Sequence, residues 1–217
     1  MTIKVNLKIF LFLAIFYITK QIQIYAVLMF FAFLHEMGHL ICGVVLGLKP
    51  KSLKIMPMGL SIEFQTRPED YNKKIKKANL LAIKQMWIAM AGPFTNFAIV
   101  VITTLVAKKI WIPFYEEIVY ANLLIAFFNL FPIYPLDGGR ILYHMVHILK
   151  GKRKSIELTN QISNLSIIVL TAIGSVAIYY YKNIAILFII CYLWGLIIIE
   201  NRRYTIKNRI YKIIENS

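Results

Sequence analysis

Two histidines four residues apart, with an acidic residue between them, are the part of this sequence best suited to chemistry. The stretch from Phe31 to Leu40 reads FAFLHEMGHL and contains His35, Glu36 and His39. On a helix, side chains at positions i and i+4 project from one face, so both imidazoles can reach one metal ion. In such a HExxH pattern the two histidines bind zinc and the glutamate acts as general base.

A structural role for the two histidines is the alternative. Both imidazoles could be satisfied by backbone carbonyls, but Glu36 would then be a buried carboxylate without a role. The surrounding segment, residues 22–48, is almost wholly apolar and long enough to cross a bilayer. Ionisable side chains in such a segment usually mark a functional site. The sequence therefore favours a metal site inside a membrane.

A catalytic zinc ion requires a third protein ligand, and Asp137 is the best candidate. Of the ten acidic residues, only Glu36 and Asp137 lie well within predicted membrane-embedded stretches. Asp137 follows two prolines and precedes two glycines, and irregular backbone at membrane depth indicates a protein-lined polar cavity. The alternative is that Asp137 caps the helix that follows. His144 and His147 are not predicted as ligands.

The predicted constellation suits hydrolysis of an amide bond. We expect one Zn²⁺ per chain, bound by His35, His39 and Asp137, with Glu36 accepting a proton from water and passing it to the leaving amine.

Composition predicts an all-α polytopic membrane protein. The chain has 217 residues, of which 59% are hydrophobic and 16% charged. This is the composition of a membrane domain rather than a soluble one. We expect a membrane-embedded domain over residues 1–199, with its core motifs in residues 31–149, and a basic cytoplasmic tail over residues 200–217.

Apolar runs predict about six transmembrane helices, with five as the alternative because the first run is short. A β-hairpin is predicted between the second and third helices, from Ser52–Met56 and Leu60–Gln65. A basic stretch follows, which is equally consistent with an amphipathic helix on an anionic membrane surface and with a solvated charged face. It comprises Lys73, Lys74, Lys76 and Lys77, alternating with Ile75, Leu80 and Leu81. The predicted spans are residues 5–18, 22–48, 85–106, 111–131, 165–181 and 184–199.

The distribution of basic residues predicts the orientation of the chain. With the N-terminus inside and six spans, 21 of the 25 Lys and Arg residues fall on the cytoplasmic side. Basic residues concentrate on that side of membrane proteins. We therefore expect a multi-pass cell-membrane protein with both termini in the cytoplasm, and the net charge of +15 requires no nucleic acid.

Three motifs together resemble the intramembrane zinc metalloproteases of the site-2 protease family, peptidase family M50. They are HEMGH at residues 35–39, AGPFTN at residues 91–96 and NLFPIYPLDGGR at residues 129–140. The resemblance implies that His35, His39 and Asp137 bind zinc and that Glu36 is the base. It also implies that Asn129 holds the substrate backbone and that Asn96 shapes the same cavity.

The compact layout without a PDZ domain resembles the stage IV sporulation protein FB branch of that family. This implies cleavage, near the cytoplasmic face, of a membrane-associated precursor such as that of a sporulation sigma factor. It also implies membrane-protein inhibitors as partners. Because this sequence shows no CBS domain, we expect no nucleotide. The alternative function is a non-proteolytic metal-binding membrane protein such as a zinc permease.

Overall fold

Most of the chain is helical. The computed structural model describes residues 2–5, 7–56, 59–65, 75–182 and 185–215. The chain forms two compact units, Met1–Leu130 and Phe131–Ser217. The predicted helical character is confirmed, whereas the domain boundary at residue 199 stays a prediction.

The first unit contains a small sheet and four helices. Its elements are β1 (Thr2–Val5), α1 (Lys8–Ile18), α2 (Ile22–Val45), β2 (Lys49–Met56), β3 (Gly59–Gln65), α3 (Ile75–Ala107) and α4 (Tyr115–Leu130). Strands β2 and β3 pair antiparallel, which confirms the predicted hairpin. Strand β1 pairs parallel with β2 and makes the sheet three-stranded. The sequence analysis did not predict this strand.

Helix α2 has a well-defined C-terminal end. Gly47 adopts a left-handed conformation with φ of 81°. The amide of Leu48 donates to the carbonyl of Gly43, and that of Gly47 donates to the carbonyl of Val44, at 2.9 Å each. This is the Schellman arrangement, which satisfies carbonyls at a helix end. The ammonium of Lys84 donates to the carbonyl of Leu46 at 2.8 Å and completes the cap.

Helix α3 is one continuous helix. It runs without a break from Lys76 and Lys77 of the basic stretch into the third predicted span, so the described part of that stretch is the start of α3 rather than a helix of its own. The beginning of that prediction, at Lys73 and Lys74, lies outside the described residues. Pro93 lies within α3. At Gly38 of α2, an added Cβ would lie only 2.1 Å from the hydroxyl of Thr95 in α3. The missing side chain therefore lets the two helices approach closely.

One hydrophobic core cluster of the first unit lies where α2 and α4 pack together. Phe31 of α2 and the α4 residues Ala121 and Ile125 form its buried centre. Phe31 precedes His35 by one turn, so this core fixes the position of the HEMGH turn.

The second unit consists of α5 (Asp137–Lys150), α6 (Lys152–Tyr181) and α7 (Ala185–Glu215). Gly151, with φ of 82°, separates α5 from α6. The fifth predicted span is the second half of α6. Helix α7 continues through the predicted basic tail as far as Glu215, so the described part of that tail is helical rather than a separate segment.

Three described helices are long and apolar enough to cross a bilayer. They comprise residues 22–45, 80–107 and 152–180, and the shorter apolar helix Ile9–Ile18 accompanies them. Helix α4 has 16 residues, fewer than the roughly 20 that a typical span requires. The prediction of about six spans therefore stays a prediction.

Candidate active site

His35 and His39 lie on one face of α2, as their spacing predicts. Their exposed fractions are 4% and 3%, so both imidazoles are removed from solvent. Their Nε2 atoms are 3.1 Å apart. The rings meet edge to face, at an interplanar angle of 85°. The two histidines therefore direct the same ring atom to one point.

The protonation of His39 follows from its partner. Its Nδ1 contacts the backbone carbonyl of Ile88 in α3. A carbonyl oxygen can only accept, so Nδ1 carries the proton. The Nε2 atom of neutral His39 then has a lone pair available for a metal ion.

The protonation of His35 follows from a chain of amides. Its Nδ1 contacts Oδ1 of Asn96 in α3. The Nδ2 of Asn96 donates to Oδ1 of Asn122 in α4 at 2.8 Å. The Nδ2 of Asn122 in turn donates to the carbonyl of Ile118, also at 2.8 Å. Because that carbonyl can only accept, each amide has one allowed orientation. Nδ1 of His35 is therefore the donor, and its Nε2 carries a lone pair rather than a proton.

Gly92 of α3 leaves space beside the two Nε2 atoms. A Cβ built on Gly92 would lie 2.4 Å from Nε2 of His39 and 2.5 Å from Nε2 of His35. Any larger residue would occupy the volume that both lone pairs face. Ile88, Gly92 and Asn96 are spaced by four residues, so one face of α3 contacts both histidines.

The donor set suits a zinc ion. Two unprotonated nitrogens that face each other repel unless a cation lies between them. For Zn–N distances near 2.0–2.1 Å and tetrahedral angles, two ligand nitrogens stand about 3.3 Å apart, close to the 3.1 Å observed here. Glu36, also buried, adjoins His35 in the same turn. Residues and spacing thus fit the metal that the sequence predicts.

Asp137 lies in the second unit, at the start of α5. Its exposed fraction is 5%. The N-cap position belongs to Leu136, which makes no side-chain capping bond. Asp137 is thus the first helical residue, so the alternative that it is the N-cap does not describe the structure. The first turn of a helix lies at the positive end of its dipole, which suits a negatively charged group.

The loop before Asp137 is held by Ser163 of α6. The amide of Tyr134 donates to Oγ of Ser163 at 2.9 Å. The same hydroxyl lies 3.4 Å from the carbonyl of Pro132. At Gly139, a Cβ would lie 2.4 to 2.6 Å from backbone atoms of Ile133 and Tyr134. The second glycine of the DGG sequence therefore lets the first turn of α5 fold back against this loop.

The two asparagines predicted to bind substrate have different surroundings. Asn96 is fully buried and hydrogen-bonded to His35 and Asn122. Its observed contacts therefore hold the imidazole of His35 in place. Asn129 is on α4 and donates to the carbonyl of Ile125 at 3.0 Å. The role of both in substrate binding stays a prediction.

Sequence reasoning missed Asn122, Gly92 and Ser163. Asn122 had a usable signal, because a carboxamide in the middle of the apolar run of residues 118–128 needs a partner inside the protein. Gly92 lies in a motif that the sequence analysis had noted. The contacts of Ser163 depend on how α6 packs against the loop, and no local pattern predicts them.

The fold and this geometry define a mostly helical membrane protein in which an HExxH helix holds two facing imidazoles. The model of peptidase family M50 matches residues 23–110 and 99–173 of the chain. The chain therefore belongs to peptidase family M50, which confirms the resemblance drawn from its motifs.

Curated relatives agree with this family. A zinc metalloprotease of Methanocaldococcus jannaschii is 25% identical over 146 residues, which cover 65% of this chain and 39% of the relative. Stage IV sporulation protein FB of Bacillus subtilis is 26% identical over 145 residues, which cover 65% of this chain and 47% of the relative. The matched region thus spans less than half the length of either relative.

The fold is also found in a solved structure. The site-2 protease from Methanocaldococcus jannaschii superimposes with a TM-score of 0.65, covering 91% of this chain and 89% of that structure. At 23% identity, this likeness shows the fold.

Proposed function

We propose that this chain is a zinc endopeptidase that hydrolyses a peptide bond of a membrane-associated protein. The observation that carries the proposal is the pair of imidazoles whose Nε2 atoms face each other 3.1 Å apart in an apolar helix. Membership in peptidase family M50 and the zinc metalloprotease among the relatives support it.

Asp137 is the proposed third ligand. It is buried and begins a helix, and its carboxylate is a ligand type that zinc accepts. His35 and His39 of the first unit and Asp137 of the second are all buried and carry ligand types that zinc accepts. One zinc ion per chain is therefore proposed, with a fourth position for substrate or water.

When bound, zinc supplies a Lewis acid that polarises the substrate carbonyl and makes an attacking water more acidic. Glu36 takes a proton from that water while the water oxygen forms a bond to the carbonyl carbon. Glu36 then gives the proton to the amide nitrogen as the C–N bond breaks, which yields an amine and a carboxylate. The apolar surroundings of α2 strengthen each of these charge interactions, because they exclude bulk water.

The proposed substrate is a membrane-associated precursor, with that of a sporulation sigma factor as the candidate. This follows from the likeness to stage IV sporulation protein FB. His35 and His39 lie in the half of α2 nearer Val45, which the charge distribution assigns to the cytoplasmic side. The same proposal includes cleavage near that face and both termini in the cytoplasm. It also includes control by membrane-protein inhibitors and independence of nucleotide and nucleic acid.

Co-expression of the full chain with a tagged sigma-factor precursor tests the activity. Glu36→Gln keeps the size of the side chain and removes its proton acceptor, whereas Glu117→Gln makes the same change at an exposed site of α4. We expect a shortened product with the wild type and with Glu117→Gln, and none with Glu36→Gln.

Zinc content and zinc uptake, measured on the same strains, separate the alternative functions. A protease binds zinc in the wild type and in Glu36→Gln but moves none across the membrane. Zinc uptake that depends on His35 and His39 without cleavage would favour the permease. Cleavage that persists in Glu36→Gln would contradict the mechanism.

A further inference from the structure

We infer that Asn122 is a positioning residue for the metal site, acting through Asn96 to keep Nε2 of His35 available for the metal. The inference rests on the zinc site proposed above. Asn122 lies on α4 and contacts neither histidine in the hydrogen bonds described for it. We infer that Asn122 determines which ring nitrogen of His35 carries the proton.

The side-chain amides of Asn96 and Asn122 are both completely buried. The exposed fractions of Asn96 and Asn122 are both 0%. Each carboxamide in an apolar interior has a free-energy cost unless it is hydrogen-bonded. Here the bonds run in series, from Ile118 on α4 through Asn122 and Asn96 to His35 on α2.

Asn96 by itself cannot determine the proton on His35. A carboxamide offers an acceptor at one end and a donor at the other, and it can turn over. If Nδ2 of Asn96 faced His35, Nδ1 would have to accept, and the proton of the neutral ring would move to Nε2. A protonated Nε2 cannot bind a metal ion. Some other group must therefore exclude the turned-over amide.

Asn122 is that group, because its own orientation is fixed by the backbone. The carbonyl of Ile118 accepts from Nδ2 of Asn122, so Oδ1 of Asn122 must face Asn96 and accept. His39 needs no such relay, since a backbone carbonyl already holds its Nδ1. The two histidines thus reach the same tautomer by a direct bond in one case and a two-amide relay in the other.

The test measures the affinity of the purified full chain for Zn²⁺ by chelator competition in detergent micelles. Asn122→Leu removes the relay at similar volume, and loss of such a supporting contact weakens metal affinity about 10- to 100-fold. Asn122→Asp in its neutral acid form can donate to Ile118 and accept from Asn96, so we expect affinity close to wild type.

A matched control comes from the second unit. Asn201 donates to Asn164 at 3.0 Å, which is also an amide pair between two helices. Asn201→Leu is expected to lower the thermal unfolding midpoint without changing zinc affinity. Visible spectra of the Co²⁺-loaded proteins report ligand geometry independently of activity, and we expect them to change in Asn122→Leu only.

A double-mutant cycle separates the relay from a general packing effect. In an Asn96→Ala background, Asn122→Leu is expected to have no further effect on zinc affinity, because the residue through which it acts is missing. The inference is overturned if Asn122→Leu binds zinc as tightly as wild type, or if its cost is the same in both backgrounds. Asn122→Ala takes its place if the leucine variant does not fold. Failure of the wild type to bind zinc would instead overturn the proposed function.

Discussion

Gly92 of α3 lies directly against Nε2 of His39, and a methyl group on Gly92 would come within 2.4 Å of that atom. Gly92→Ala is therefore expected to place carbon where the lone pairs of both histidines converge. We expect zinc affinity to fall at least as far as on loss of a supporting residue, about 10- to 100-fold, with helix content unchanged. Zinc titration and circular dichroism of the same sample measure the two effects.

Gly195 of α7 provides the control for this substitution. A Cβ built there meets nothing within 4 Å. Gly195→Ala should thus leave zinc affinity unchanged and stabilise the helix slightly, since alanine favours helix by up to about 1 kcal/mol over glycine. Equal zinc affinity in the two alanine variants would show that Gly92 does not adjoin the metal.

Removal of zinc is expected to lower stability as well as activity. Without a cation, the two unprotonated nitrogens 3.1 Å apart repel each other, and the folded state also loses the free energy of metal binding. A chelator should stop cleavage and lower the thermal unfolding midpoint of the wild type, and added Zn²⁺ should restore both. A variant with His35 and His39 both replaced by Asn should show no chelator-dependent shift, and a shift there would place the metal elsewhere.

Ser163→Ala is expected to loosen the loop that precedes Asp137. The substitution leaves the part-buried amide of Tyr134 without its acceptor, which costs less than the roughly 1–3 kcal/mol of a fully buried unpaired amide. We expect a lower unfolding midpoint and weaker zinc binding. Ser175→Ala is the matched control, because Ser175 lies on the same helix and bonds only within it, to Thr171 at 2.8 Å.

His144 should make stability depend on pH. Burial, together with smaller effects of the nearby His147 and Arg140, lowers the pKa of His144 from 6.5 to about 4. Its Nδ1 is buried without a hydrogen-bond partner among the described residues. The folded protein keeps His144 neutral, whereas the unfolded chain takes up a proton near pH 6.5. Stability from this group is thus complete above pH 6.5 and is lost progressively as pH falls toward 4.

The unfolding midpoint measured across that pH range, in wild type and in His144→Leu, checks this expectation. Helix α5 lies outside the predicted spans, and it is not among the described helices that are long and apolar enough to cross a bilayer. The slope should flatten in His144→Leu. Burial and the charge of Lys152 also lower the pKa of His147, so the slope should flatten in His147→Leu as well. An unchanged slope in His144→Leu would contradict the assignment.

The sequence predicted the metal-facing side chains best, because they depend on local geometry. The spacing of His35 and His39 alone places both imidazoles on one helix face, and the structure has them there. The hairpin of β2 and β3 was also predictable, since Pro57, Met58 and Gly59 separate two short extended runs.

What the sequence could not predict depends on contacts between distant segments. Strand β1 has four residues, and its pairing with β2 becomes favourable only once α1 and α2 have brought the strands together. Likewise, the carbonyl of Ile88 becomes a partner of His39 only through the packing of α2 on α3. The basic start of α3 was separated from its apolar part because charge and hydropathy change there, although the helix does not end.

The single face of α3 that carries Ile88, Gly92 and Asn96 has a mechanical consequence. These groups are fixed to one rigid cylinder, so a twist of α3 about its long axis displaces all of them together. Such a twist would break the hydrogen bonds that hold Nδ1 of both imidazoles. The same movement would displace Gly92 from its place beside the two Nε2 atoms. The hydrogen bonds of both imidazoles therefore depend on one helix, and a displacement of α3 would disturb them together.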